Sequence, residues 1–112
     1  MKRGSVVIAT APGFGTKPRP WVVMQSAGYL DVGTLILIPL TSEIADPPSP
    51  LRPSIAPNAD NGLQGVSEAM TNLPIAVRSD KIHQHIGTLA PADIARIEQA
   101  LVMILGIEGR AT

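Results

Sequence analysis

A chain of 112 residues with 45% apolar residues and a formal net charge of zero is large enough for one modest core. It is too apolar for a disordered chain and too neutral to grip nucleic acid through bulk charge. There is no cysteine, hence no disulfide framework and no thiol nucleophile, as suits a reducing cytoplasm. The basic start "MKRGSVVIA" leads into an apolar run too short for a signal peptide, and "TLILIPL" is far below bilayer length, so a cytoplasmic protein without membrane contact is expected.

In chain order, "SVVIAT" is rich in β-branched residues and ends on Ala11-Pro12-Gly13, which predicts a strand at 5–10. A mobile loop to Pro18 and a second strand at 20–26, "PWVVMQS", follow. "TLILIPLT", residues 34–41, is apolar throughout, as expected of a strand covered on both faces, and its Pro39 predicts a bulge or an edge. The proline-dense stretch from Ser42 to Gly62 reads as an extended excursion with a short edge strand near Arg52–Ala56 and a turn at Asn61-Gly62. "LQGVSEAMTNLPIAV" predicts two short strands broken at Asn72–Pro74. "SDKIHQHIG" predicts one helical turn with Ser79 as N-cap, then a strand at "HIGTL". In "PADIARIEQALVMILG", Ile94, Ile97, Leu101 and Ile104 recur at helical spacing, with Leu105 widening the stripe. Pro91 suits the first turn, Asp93 the positive end and Gly106 the C′ position. Short strands followed by one helix make an α+β chain with an antiparallel sheet, one domain over 1–112.

The charges are uneven. Through Thr41 the basic residues Lys2, Arg3, Lys17 and Arg19 face a single acid, Asp31, which allows a local positive site; charges scattered over a solvated face account for the pattern equally well. No metal site is expected, because the His83/His85 pair has no cysteine and no third histidine to accompany it. "GFGTK" lacks the spacing of a phosphate loop and leads into no helix. Arg19 lies between Pro18 and Pro20, and the following proline restricts it to an extended backbone. A guanidinium held there suits phosphate, with its planar fork of donors and permanent charge. An arginine whose stem covers apolar surface at a strand end is the competing reading.

The blocks "KRGSVVIA", "KPRPWVVMQS", "LIPLTSE", "NGLQGVSEAM" and "IGTLAPADIARIEQALVMILG" resemble, in order, those of the MazF/PemK toxin family. The most specific are R-P-W-V-V-M-Q-S and P-L-T-S, and the resemblance spans nearly the whole chain. It implies an SH3-like small β-barrel of antiparallel strands with a C-terminal α-helix, acting as a homodimer. It further implies a ribosome-independent endoribonuclease that cuts single-stranded mRNA without a metal or other cofactor, leaving a 2′,3′-cyclic phosphate and a 5′-hydroxyl, and a cognate antitoxin protein that neutralises it. By position, Arg19 and Thr41 match the family's catalytic arginine and threonine, and Lys17, Ser42 and Asn72 fall where RNA is contacted.

Arg19 would stabilise charge on the phosphoryl oxygens and serve as a source of the proton for the leaving oxygen. Thr41, with Ser42 beside it, would hydrogen-bond a nonbridging oxygen or orient the 2′-hydroxyl. The chain departs from the family at Asn72, where many members carry an acid, and near Met70, where some carry a second arginine. Asn72 cannot serve as a general base, which leaves His83 as an alternative. Two other readings on the same fold are a gyrase-poisoning CcdB-like toxin and a catalytically weakened antitoxin-binding relative. The tail "ILGIEGRAT" lacks the tryptophan-glycine signature of the first. Specificity is expected to reside in the loops around 11–18 and 43–60.

Overall fold

The computed structural model describes residues 1–107; Glu108–Thr112, the part of the tail that bears on the gyrase-type reading, lie outside the described residues. Strands β1 (Ser5–Ala9), β2 (Arg19–Val23), β3 (Thr34–Thr41), β4 (Ser54–Ile55), β5 (Ser67–Ala69), β6 (Ile75–Arg78) and β7 (Ile82–Thr88) precede the helix α1 (Pro91–Leu105). Every strand pair is antiparallel, and the sheet runs β4-β5-β3-β2-β1-β7 with β6 also on β3. The result is a curled antiparallel half-barrel with a C-terminal helix, the α+β arrangement expected.

Period-two alternation explains the two cores. Val6, Val22, Ile38 and Leu40 point to one face of the sheet, where they join Ile55, Leu89 and the helix residue Ile97. Val7, Trp21, Val23, Leu35 and Leu37 point to the other and pack with Val77 and the partly buried Phe14 and Ile82. Strand β3 supplies both clusters, which is why its sequence is apolar at successive positions.

Pro39 is neither an edge residue nor a bulge. On one side it sits opposite Trp21 in the β2 ladder. On the other, β3 pairs with β6 through Thr34–Leu37 and with β5 at Leu40–Thr41, so Pro39 falls in the gap between two partners. A residue with no N–H costs no ladder bond there, while its carbonyl accepts from the Met70 amide at 2.9 Å. Three other boundaries also move. Strand β2 begins at Arg19 and ends at Val23. Ser79 is the first residue of a 3₁₀ turn, Ser79–Lys81, whose N-cap is Arg78 without a side-chain cap bond. Strand β7 begins at Ile82 rather than His85, pairing with β1 from Ala9 onward. The helix keeps its predicted extent, with Pro91 at its start and Gly106 closing it at φ 67°. Its buried stripe, however, is Ile97 and Ala100 flanked by Ile94 and Leu101, whereas Ile104 and Leu105 are exposed.

The excursion after β4 is fastened by the buried side chain of Asn61. Its Oδ1 accepts from the Asn58 and Leu63 amides and its Nδ2 donates to the Ala56 carbonyl. The same turn presses on β7, where the Thr88 amide donates to Asp60 O at 2.8 Å. A Cβ on Gly87 would lie 2.4 Å from the Asn61 carbonyl carbon and 2.5 Å from Asp60 O. Both are backbone atoms that cannot rotate away. Gly87→Ala is therefore expected to cost about 1–3 kcal/mol, read as a lower urea midpoint. Gly28→Ala, where nothing lies within 4 Å, should leave the midpoint unchanged or slightly raised.

Candidate active site

The register of β2 and β3 builds the site. Trp21 faces Pro39, Val22 faces Ile38 and Val23 faces Leu37. Carried two residues outward from the Trp21–Pro39 pair, the register sets Arg19 opposite Thr41 at the open end of the two strands. Both line a cavity of about 440 Å³ together with Ser42, Glu43 and the segment Gly62–Ser67. Leu40, Ile8 and Ile86 form its apolar floor.

Arg19 is half-buried and has an aromatic support. Its guanidinium carbon lies 5.6 Å from the centroid of the Phe14 ring, within cation–π range. Phe14 meets Trp21 edge to face, with centroids 4.9 Å apart at 70°. Trp21 is fully buried, and its indole N–H donates to the Ala9 carbonyl at 3.1 Å. A stack of three side chains thus connects the core to the cation. The loop before β2 does not simply swing free of the barrel, because Phe14 returns it to the second core cluster.

Thr41 ends β3 and is half-buried. Its hydroxyl oxygen accepts the Glu43 amide at 3.1 Å, which turns the chain and brings Ser42 and Glu43 to the cavity rim. The Glu43 carbonyl in turn accepts from the Arg52 guanidinium at 2.6 Å. Arg52 Nε lies 2.9 Å from Oε1 of the buried Glu68. That contact is ionic only, since the N–H does not aim at the carboxylate and Nε has no hydrogen-bond partner. Glu68 Oε1 also accepts the Ala45 amide, so one buried carboxylate holds both ends of the loop that carries the rim.

Of the residues singled out in the sequence, the cavity gathers Arg19, Thr41 and Ser42. Lys17 is exposed on the loop two positions before Arg19 and does not line it. Asn72 is exposed in the turn after β5, also outside the cavity. His83 contacts Thr10 Oγ1 at 3.3 Å and His85 contacts Gly87 O at 2.8 Å, both on β7 and away from the cavity. No group of three or more His, Cys, Asp or Glu side chains that could hold a metal occurs among the described residues. Sequence reasoning passed over Phe14, Glu43 and the 62–67 wall. Phe14 could have been noticed as one of only three aromatic residues in the chain. Glu43 could have been noticed as the carboxylate directly after the threonine-serine pair. The wall lies within the block NGLQGVSEAM that carries part of the family resemblance, but no residue type in it marks it as lining a site.

The model of the PemK-like, MazF-like toxins of type II toxin–antitoxin systems matches residues 2–105. A curated relative, the probable endoribonuclease MazF of Mycolicibacterium smegmatis, is 34% identical over 110 residues, covering 97% of this chain and all of the relative. Solved structures share the fold. An endoribonuclease in complex with its cognate antitoxin from a mycobacterial species superposes with a TM-score of 0.79 at 21% identity, over 96% of each chain. The MazE–MazF complex of Deinococcus radiodurans gives 0.76 at 19% identity, over 96% of this chain and 97% of that one. The curled sheet, the closing helix and the near-complete match in sequence place this chain in the PemK-like, MazF-like family of type II toxin–antitoxin toxins.

Proposed function

We propose that this toxin is a sequence-specific endoribonuclease that cuts single-stranded RNA by attack of a ribose 2′-hydroxyl on the adjacent phosphate. The products would be a 2′,3′-cyclic phosphate and a 5′-hydroxyl, formed with no metal taking part. The observation that carries this reading is the convergence of Arg19 and Thr41 on one open cavity, in a family whose matched relative is named an endoribonuclease.

The chemistry follows from the residue types. The reaction builds negative charge on the phosphoryl oxygens, and a guanidinium already oriented by Phe14 stabilises it without reorganising first. Thr41 and Ser42 offer hydroxyl donors to a nonbridging oxygen and hold the phosphate in line with the 2′-oxygen. Lys17 and Asn72, both exposed and outside the cavity, would meet flanking nucleotides. The protein partner is an antitoxin, as in the toxin–antitoxin complexes of the structural relatives, and it would inhibit by covering the cavity.

The working form would be a homodimer. Beside the exposed end of α1, Ile36, Pro74 and Leu105 border an apolar groove, and Ile36 and Leu105 are 41% and 60% exposed. A second copy would bury them in a two-fold interface.

Three kinds of measurement test this reading: site variants, reaction chemistry and oligomeric state. Arg19→Ala should lower RNA cleavage and growth inhibition by about 100- to 1,000-fold while the thermal midpoint stays near wild type. Thr41→Ala, which removes a neutral donor, should cost less; an Arg19→Ala protein that cleaves normally would overturn the assignment. Cleavage should persist in excess EDTA, and RNA with deoxyribose on the 5′ side of the cut should bind and remain intact. The cut RNA should accept a 5′ label from a kinase without phosphatase treatment, and products bearing 5′-phosphates would rule the mechanism out. Sedimentation at micromolar concentration should report a dimer that Leu105→Lys converts to monomer.

A further inference from the structure

We propose that Glu43 is the general base that takes the proton from the attacking 2′-hydroxyl, a role that Asn72 cannot fill and for which the sequence otherwise offers His83. The inference rests on the ribonuclease reading of the same cavity.

Arg19 and Glu43 are the two charged residues among those lining the cavity, Arg19 from β2 and Glu43 directly after Thr41 and Ser42 in the chain. An amide at position 72 takes up no proton, and Asn72 lies outside the cavity in any case. His83 and His85 lie on β7, engaged with Thr10 and with the Gly87 carbonyl. Glu43 is therefore the one residue lining the cavity that carries a carboxylate to receive the proton. Its backbone is held at both ends, the amide by Thr41 Oγ1 at 3.1 Å and the carbonyl by Arg52 at 2.6 Å. Its carboxylate makes no ion pair or hydrogen bond among the described residues. A side chain with a fixed root and an uncommitted head is what proton transfer to a mobile substrate needs.

The surrounding charges also separate the neighbouring carboxylates by role. Glu68 is buried and committed to Arg52 and the Ala45 amide. Arg52 spends one nitrogen on the Glu43 carbonyl, leaving the Glu43 carboxylate without a salt-bridge partner. Arg19 reaches the cavity from β2, and Lys17 lies outside it. In the reaction the 2′-O–H bond breaks and its proton passes to the Glu43 carboxylate. The freed electron pair forms the 2′-O–P bond, the P–O5′ bond breaks, and the 5′-oxygen takes a proton from water beside Arg19. Glu43 then returns its proton to solvent, so the enzyme ends as it began and no oxidant, reductant or co-reactant is consumed.

The test compares wild type, Glu43→Gln, Glu43→Asp and Arg19→Ala. Cut sites are first mapped on a long single-stranded transcript, and single-turnover rates are then measured against pH on an oligonucleotide spanning the major site. Glu43→Gln should slow cleavage by about 100- to 10,000-fold and abolish the rise of rate with pH on the acidic side. Its affinity for the 2′-deoxy analogue should stay within about twofold of wild type, since the lost interaction belongs to the transition state. Glu43→Asp should retain part of both the rate and the pH dependence. If Glu43→Gln keeps the wild-type rate and profile while Arg19→Ala is inactive, the base assignment is wrong and the ribonuclease reading stands. If Glu43→Gln loses affinity for the deoxy analogue in step with its rate, Glu43 is a binding residue and the assignment again fails. If the wild-type protein cuts no RNA, or Arg19→Ala cuts as well as wild type, the underlying reading falls first.

Discussion

The antiparallel register that sets Trp21 against Pro39 is the constraint on which the rest of the molecule depends. It brings Val22 and Ile38 to one core and Val23 and Leu37 to the other, so the two apolar clusters share a single pair of strands as their partition. The same register brings Arg19 and Thr41 face to face where the pairing ends. A shift by one residue would exchange the two faces of each strand, burying polar side chains and separating the arginine from the threonine. Stability and the site are thus fixed by one set of hydrogen bonds. Pro39 belongs to this arrangement, because its missing N–H marks where β3 passes from β6 to β5 and frees the last residues of β3 to turn into the rim.

A second device operates on the proline-dense segment. Prolines stiffen the chain between Asp46 and Pro57 but provide little hydrogen bonding of their own. The buried Glu68 collects the Arg52 guanidinium and the Ala45 amide, and Arg52 extends to Glu43. Thr71 adds a hydroxyl donated to the Leu51 carbonyl at 2.5 Å. Removing Arg52 would leave the buried Glu68 carboxylate without its cation, and an uncompensated buried charge costs about 3–5 kcal/mol. The rim therefore answers to a charge pair whose nearer member, Arg52, lies nine residues beyond Glu43 along the chain.

Much of this was legible in the sequence where period and chemistry agree. The continuous apolar run of β3, the β-branched residues of β1 and the Pro-to-Gly frame of α1 each specify their element by local rules. The proline after Arg19 fixes an extended backbone at the start of β2, and the motif around it pointed to Arg19 and Thr41. What escaped depends on contacts distant in the chain. Pro39 looked like an edge because proline breaks ladders, and no local rule reveals that β3 changes partners there. The single helical turn at 79–81 forms as expected, but Ser79, the right residue type for an N-cap, is its first residue, and Arg78 holds the N-cap position without a side-chain bond. Ile104 and Leu105 continue the helical stripe in sequence, yet both are exposed, Leu105 on an open groove that it shares with Ile36 and Ile75 of the sheet. Phe14 and Glu43 sit in loops, where no periodicity exists to mark a side chain as inward-facing.

The close approach of Asn61, Gly62 and β7 bears on how such a protein diversifies. Gly62 has φ 71°, and a side chain there would strike the Ile86 carbonyl at 2.3 Å. The wall of the cavity is thus seated by main-chain contacts and by one buried asparagine, rather than by the groups it presents. Gln64 and Val66 project from that seat, exposed, on the cavity's rim. Their identities can change without disturbing the frame that holds Arg19 opposite Thr41. Under the proposed function, mutational drift would thereby be channelled into the surface around the cavity, so lineages could exchange one target for another while retaining a common chemical centre.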